Sequence, residues 1–135
     1  METQPMKVLT KKDILRVTEL KRQMVDVPEW GGAVCVQEMT GEARAEYDKW
    51  LVEKGNVGGM RVRVLIATVV DPETGKPLFS EIDIPDLLSK SSLAIERISD
   101  IGGDLSGLSK KKEDEQIKNL ETALNVGSLS DFVKS

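Results

Sequence analysis

The sequence predicts a mainly α fold, a small helical domain with an N-terminal β-hairpin. Three observations carry that expectation. Ala43, Tyr47, Trp50 and Leu51 recur at helical spacing, and so do Ala94, Ile98, Ile101 and Leu105; each set lays one apolar stripe along a helix. Between them and the N-terminus, two short valine-bearing segments flank Pro28-Glu29-Trp30-Gly31-Gly32, a turn whose paired glycines supply positive φ.

Taken along the chain, residues 1–8 are polar, carry a proline and are expected to be disordered. Thr10 followed by Asp13 has the spacing of a helix cap with an acidic residue in the first turn. Ile14, Leu15 and Val17 give the short helix over 11–18 an apolar side. Met24, Val25 and Val27 favour a strand that Pro28 stops, and Ala33 to Met39 forms the returning strand, placing the hairpin at about 22–39. Thr40 caps the next helix, Glu42 sits at its positive end and Gly55 ends it. Gly55, Gly58 and Gly59 then read as a hinge between helices.

Residues 60–70 are ambiguous. Arg61-Val62-Arg63-Val64 alternates like a strand, and Val, Ile and Thr favour β structure, but Leu65 to Val70 is a continuous apolar run that periodicity cannot assign. The residues themselves lean towards strand. Asp71 to Pro77 is a turn, after which Leu78-Phe79 re-enters the core. Asp83 caps a short helix through Leu88, with Pro85 in the tolerated first turn. Ser89 or Ser91 starts the longer helix, whose last turns Gly102-Gly103 weaken by about 1 kcal/mol per glycine. Ser109 and the charged run after it open a final helix with Ile117, Leu120 and Leu124 on one face. The expected organisation is one helical domain over 9–124 and a flexible tail over 125–135.

Composition removes whole classes of chemistry. The 135 residues include no histidine, so imidazole bases, Ser-His-Asp triads and histidine metal ligands are excluded. Cys35 is the single cysteine, so an intrachain disulfide and a cysteine zinc cluster are excluded too; within Ala33-Val34-Cys35-Val36 it reads as a small core residue. The net charge is −4, with the acidic excess after Val70. The basic run Lys110-Lys111-Lys112 is followed at once by Glu113-Asp114-Glu115, so no extended basic face is available for a nucleic acid. No window resembles a membrane span, and a reducing cytoplasm is expected.

Candidate sites are few. Gly55-X-X-Gly58-Gly59 lacks the ending of a phosphate-binding loop. Asp71-X-Glu73-X-Gly75 lacks the remaining ligands of a calcium loop and reads as a β-turn. Neither a cofactor nor a metal is expected, and an enzyme would have to work through carboxylates alone, with Asp83 and Asp86 the available pair. Trp30, at the hairpin tip, either folds onto the core or anchors a partner. Leu129, Phe132 and Val133 are apolar residues in a tail too short for its own core, and such residues dock on something.

Several stretches together resemble the tail assembly chaperones of long-tailed siphophages. They are Leu9-Thr10-Lys11-Lys12-Asp13-Ile14-Leu15, Val27-Pro28-Glu29-Trp30-Gly31-Gly32 and Met39-Thr40-Gly41-Glu42. The pattern continues with Asp71-X-X-X-Gly75-Lys76-Pro77-Leu78-Phe79, Leu87-Leu88-X-Lys90-Ser91 and Asn119-Leu120. Their order and spacing, rather than any one motif, carry the resemblance. It implies a non-enzymatic protein of the host bacterial cytoplasm, absent from the mature virion. Such a protein coats the aggregation-prone tape measure protein and brings tail tube subunits to it. It also implies a predominantly helical fold, which moves 60–70 from strand to helix, and self-association into oligomers or spirals. A longer form made by ribosomal frameshifting, through which the tube protein is chiefly engaged, is implied as well. The partner-contact residues expected on this reading are Trp30, Met39, Leu129, Phe132 and Val133. The alternative is a small adaptor or regulator of a host or phage protein that uses Trp30 and the hairpin.

Overall fold

In the computed structural model, which describes residues 6–108, 118–119 and 121–122, the chain begins with a short helix α1 (Lys11–Arg16). Its cap is the one the sequence predicts: Thr10 Oγ1 accepts from the Asp13 backbone N–H at 3.2 Å while the Asp13 carboxylate accepts from the Thr10 N–H at 3.0 Å. The helix stops two residues short of the expected Thr18. The hairpin follows, with β1 (Arg22–Val27) antiparallel to β2 (Gly32–Gln37) and Val25 opposite Val34. The connection is one 3₁₀ turn, Pro28–Trp30, closed by Gly31 at φ 77°, a left-handed conformation that a Cβ would disfavour.

Helix α2 (Gly41–Lys54) starts on Thr40, whose hydroxyl accepts from the Ala43 N–H at 3.0 Å. Its stripe buries Tyr47 and Trp50 and half-buries Ala43 and Leu51, as the spacing predicts. Residues 60–70 are α3 (Met60–Thr68) followed by a two-residue strand β3 (Val69–Val70), which joins the far edge of β2 with Val69 opposite Val36. The leaning towards strand drawn from the residues alone is therefore corrected for 60–68. The reason is that α3 is enclosed on two sides. Val62, Leu65 and Val69 enter the main core with Val25, Val27 and Val36 of the sheet and Ala94, Ile95 and Ile98 of the last helix. Val64 enters a smaller cluster with Met39, Tyr47 and Leu108. A helix buried on most of its circumference shows no polar face to betray its period.

The remaining elements are α4 (Ile84–Leu88) and α5 (Ser92–Leu105), the latter capped by Ser91. Asp83 does not cap α4: its carboxylate accepts from the Ser80 N–H at 2.9 Å, closing a capping box around the 3₁₀ turn that precedes α4. Phe79 packs on the core but Leu78 remains 49% exposed, so only one of that pair re-enters. Gly102 and Gly103 are buried inside α5 and act as a packing surface rather than as a weak end. Cys35 is buried, as expected of a small core residue. Residues 118–119 and 121–122 are helical and exposed; the rest of the expected final helix and of the tail lies outside the described residues.

One ion pair fastens the hairpin tip to α5. The Arg97 guanidinium donates to both carboxylate oxygens of Glu29 at 2.8 Å each, the bidentate geometry that makes Arg–carboxylate pairs strong. This contact holds the Glu29 carboxyl at about 2, below its usual 4.5. A lowered carboxylate pKa contributes stability above the unfolded value, and that contribution fades as pH falls from about 4.5 towards 2. Glu29→Gln should therefore lower the urea midpoint at pH 7 and converge on the wild type near pH 2. Midpoint-against-pH curves that coincide throughout for the two proteins would show that the pair contributes nothing to stability.

Candidate functional site

Helix α2, helix α3 and the turn after β3 enclose a groove of about 440 Å³. Its floor is apolar, made by Ala43 and Tyr47 of α2 and by Ile66, Ala67 and Val70 of the α3–β3 segment. Small side chains at Ala43 and Ala67 leave the space; larger ones would fill it. The opposite wall is Pro77 and Phe79. That wall is held in place by backbone: Leu78 N–H donates to the Val69 carbonyl at 3.1 Å, and Asp71 N–H to the Lys76 carbonyl at 2.8 Å. Asp71 Oδ1 accepts from the Glu73 N–H at 2.8 Å, tightening the turn locally. Arg22, at the start of β1, donates to the Pro72 carbonyl and to Gln37 Oε1, both at 2.9 Å, and ties the turn to the sheet.

The rim is charged. Glu42 and Glu46 stand one helical turn apart on α2, with Lys76 and Glu81 across the groove. Arg63 lies between elements: its guanidinium carbon is 5.2 Å from the Trp50 ring centroid and its Nη2 donates to Glu81 Oε1 at 2.8 Å. The hydrogen bond from Arg63, and after it the Arg63 charge, lowers the Glu81 carboxyl pKa, and the carboxylate in turn compensates the guanidinium. Glu42 and Glu46 form no ion pair among the described residues, so the open acidic charge of the rim lies along α2.

A second apolar surface belongs to the N-terminal arm. Helix α1 buries none of its residues, and Leu9, Ile14, Leu15 and Val17 are between 52% and 74% exposed. The apolar side that the sequence gives this helix faces solvent. Lys11, Lys12 and Arg16 stand around Leu15.

The nominated contact residues are placed differently from one another. Trp30 is half-buried and packs on the main core from the hairpin tip. Met39 is 7% exposed, inside the smaller cluster, and has little surface to offer a partner. Leu129, Phe132 and Val133 lie outside the described residues. Asp83 and Asp86 do not line the groove, and Asp83 is committed to its capping box. Among the described residues no three acidic or cysteine side chains gather as a metal site, and no helix is long and apolar enough to cross a membrane. Sequence reasoning missed both the groove and the exposure of the arm. The groove draws on three separated stretches, and no local pattern announces it.

Comparison with known proteins gives no matching family model and no matching curated protein. Among solved structures, the chain is similar to that of the bacteriophage HK97 tail assembly chaperone. The TM-score is 0.50 at 24% sequence identity, over 70% of this chain and 90% of that one. The helical domain with its hairpin is thus a fold that a phage tail assembly chaperone also adopts.

Proposed function

We propose that this protein is a tail assembly chaperone of a long-tailed phage, which binds the tape measure protein, keeps it soluble and recruits tail tube subunits during tail morphogenesis. The observation that carries this reading is the shared fold, which extends over nine tenths of the HK97 chaperone chain. The surface chemistry is compatible. A holdase needs apolar contacts, no reaction centre and enough charge to keep its complex in solution. Here Val52, Ile82 and Leu93 are exposed on three separate elements, the arm adds four more apolar residues, and the net charge is −4. Many weak copies along one elongated client gain avidity through effective concentration.

On this reading the protein acts in the host bacterial cytoplasm, is left out of the finished virion, self-associates, and meets the tube protein mainly through a longer frameshifted form. One domain over 9–124 carries the fold, and Trp30 with Leu129, Phe132 and Val133 contacts the client. Catalysis, cofactors, nucleic acid and membrane play no part.

The test is co-expression with the tape measure protein of the same phage, followed by pull-down and light scattering. The expected result is a soluble complex with several copies per client, and reduced client recovery for Trp30→Ala and Phe132→Ala. An insoluble client with nothing co-purifying would overturn the reading, and a complex of one or two copies would favour an adaptor.

A further inference from the structure

We infer that the N-terminal arm of one copy seats in the α2–α3 groove of a second copy, joining chains head to tail. The arm calls for a cover. A helix of six residues is far below the roughly 12–15 at which isolated helices become even marginal in water. Yet Leu9, Ile14, Leu15 and Val17 lie against nothing that buries them. Tertiary packing of an apolar face is what ordinarily sustains so short a helix.

The groove fits this occupant in shape and in charge. Its volume of about 440 Å³ falls in the range of pockets that enclose a small ligand, roughly 300–1,000 Å³, enough for a few aliphatic side chains. On the α2 side its apolar floor is bordered by Glu42 and Glu46, with the single cation Lys76 across the groove, and Leu15 of the arm is bordered by Lys11, Lys12 and Arg16. None of these six charges forms an ion pair among the described residues. Complementary potentials of this kind steer and register an interface.

The second copy is favoured over the arm's own groove because the arm does not enter the groove it starts beside. Arg22 is fastened to Pro72 and Gln37 at the groove's edge, so the arm leaves the fold beside its own groove. It nevertheless stands away from it, and none of residues 6–20 lines it. Arm and groove are different patches, so the contact is heterologous, and repetition builds a ring or an open filament rather than a closed two-fold dimer.

The inference rests on the self-association contained in the proposed function and not on the client, so the experiment measures mass directly. Full-length protein is followed by size-exclusion chromatography with light scattering over a concentration series. Two charge-reversed forms accompany it, Lys11→Glu with Lys12→Glu, and Glu42→Lys with Glu46→Lys; circular dichroism confirms that these exposed substitutions leave the fold intact. Each reversed form alone should associate at least about tenfold more weakly than wild type, because like charges then face one another. An equimolar mixture of the two should recover association, since each acidic arm meets a basic rim and each basic arm an acidic one. A wild type that stays monomeric, reversed forms that associate as wild type does, or a mixture that stays dissociated would each overturn the inference. Persisting association with a soluble client in the co-expression assay would sink the arm–groove contact while leaving the chaperone reading intact.

Discussion

Leu65→Ala is expected to lower the unfolding free energy by about 2–5 kcal/mol, the range for emptying a well-packed leucine site. Domains of this size are stable by about 5–15 kcal/mol in all, so this one substitution removes a large share. Leu65 is fully buried in the main core, beside Val25, Val36 and Ile98. Ile66, its neighbour, is half-buried and lines the groove, so Ile66→Ala should cost less. The comparison discriminates between two backbones. A strand that buries Val62 and Val64 would, by alternation, turn Ile66 inward and Leu65 outward, which reverses the order of the two costs. Urea titrations with constant slope give both numbers. A larger loss at Ile66 than at Leu65 would contradict the helix over 60–68.

What was legible in the sequence was local. Thr10, Thr40 and Ser91 were readable as caps because a cap interaction spans three residues. The hairpin was readable because Gly31 supplies the left-handed turn its own tip requires. What stayed hidden depended on distant chain. Segment 60–68 could not declare its period because the sheet and α5 cover one side of it and α2 the other. Asp83 has the composition of a cap, but Ser80 lies three residues before it and takes the role. At the candidate site, Ile14, Leu15 and Val17 showed an apolar side without showing whether this chain had a surface to receive it. The groove depends on two alanines, Ala43 and Ala67, that are unremarkable in sequence and become a site only when α2 and α3 are brought together.

Gly102→Ala should destabilise the protein, against the direction that helix preference gives. In an exposed helix interior the same exchange stabilises by roughly 0.8–1 kcal/mol, because alanine loses less backbone freedom than glycine. Here α5 crosses α3 at this position, and a Cβ on Gly102 would lie 2.5 Å from Thr68 Oγ1 and 3.0 Å from both Thr68 Cβ and Cγ2. Thr68 cannot easily step aside. It is completely buried, its β-branched side chain is stiff about χ1, and its hydroxyl donates to the Val64 carbonyl at 2.8 Å. Overpacking of this kind costs about 1–3 kcal/mol, enough to cancel the helix-propensity gain and leave a net loss. Ser99 and Gly103, buried on the same helix, show that this face of α5 is built from small residues. The second variant decides the cause. Adding Thr68→Ala removes the clashing atoms, so the double mutant should lose less stability than the two single effects added together. If instead Gly102→Ala raises the urea midpoint by the propensity increment, then α5 and α3 are not in close contact there, and Gly102 marks only a weak turn of the helix.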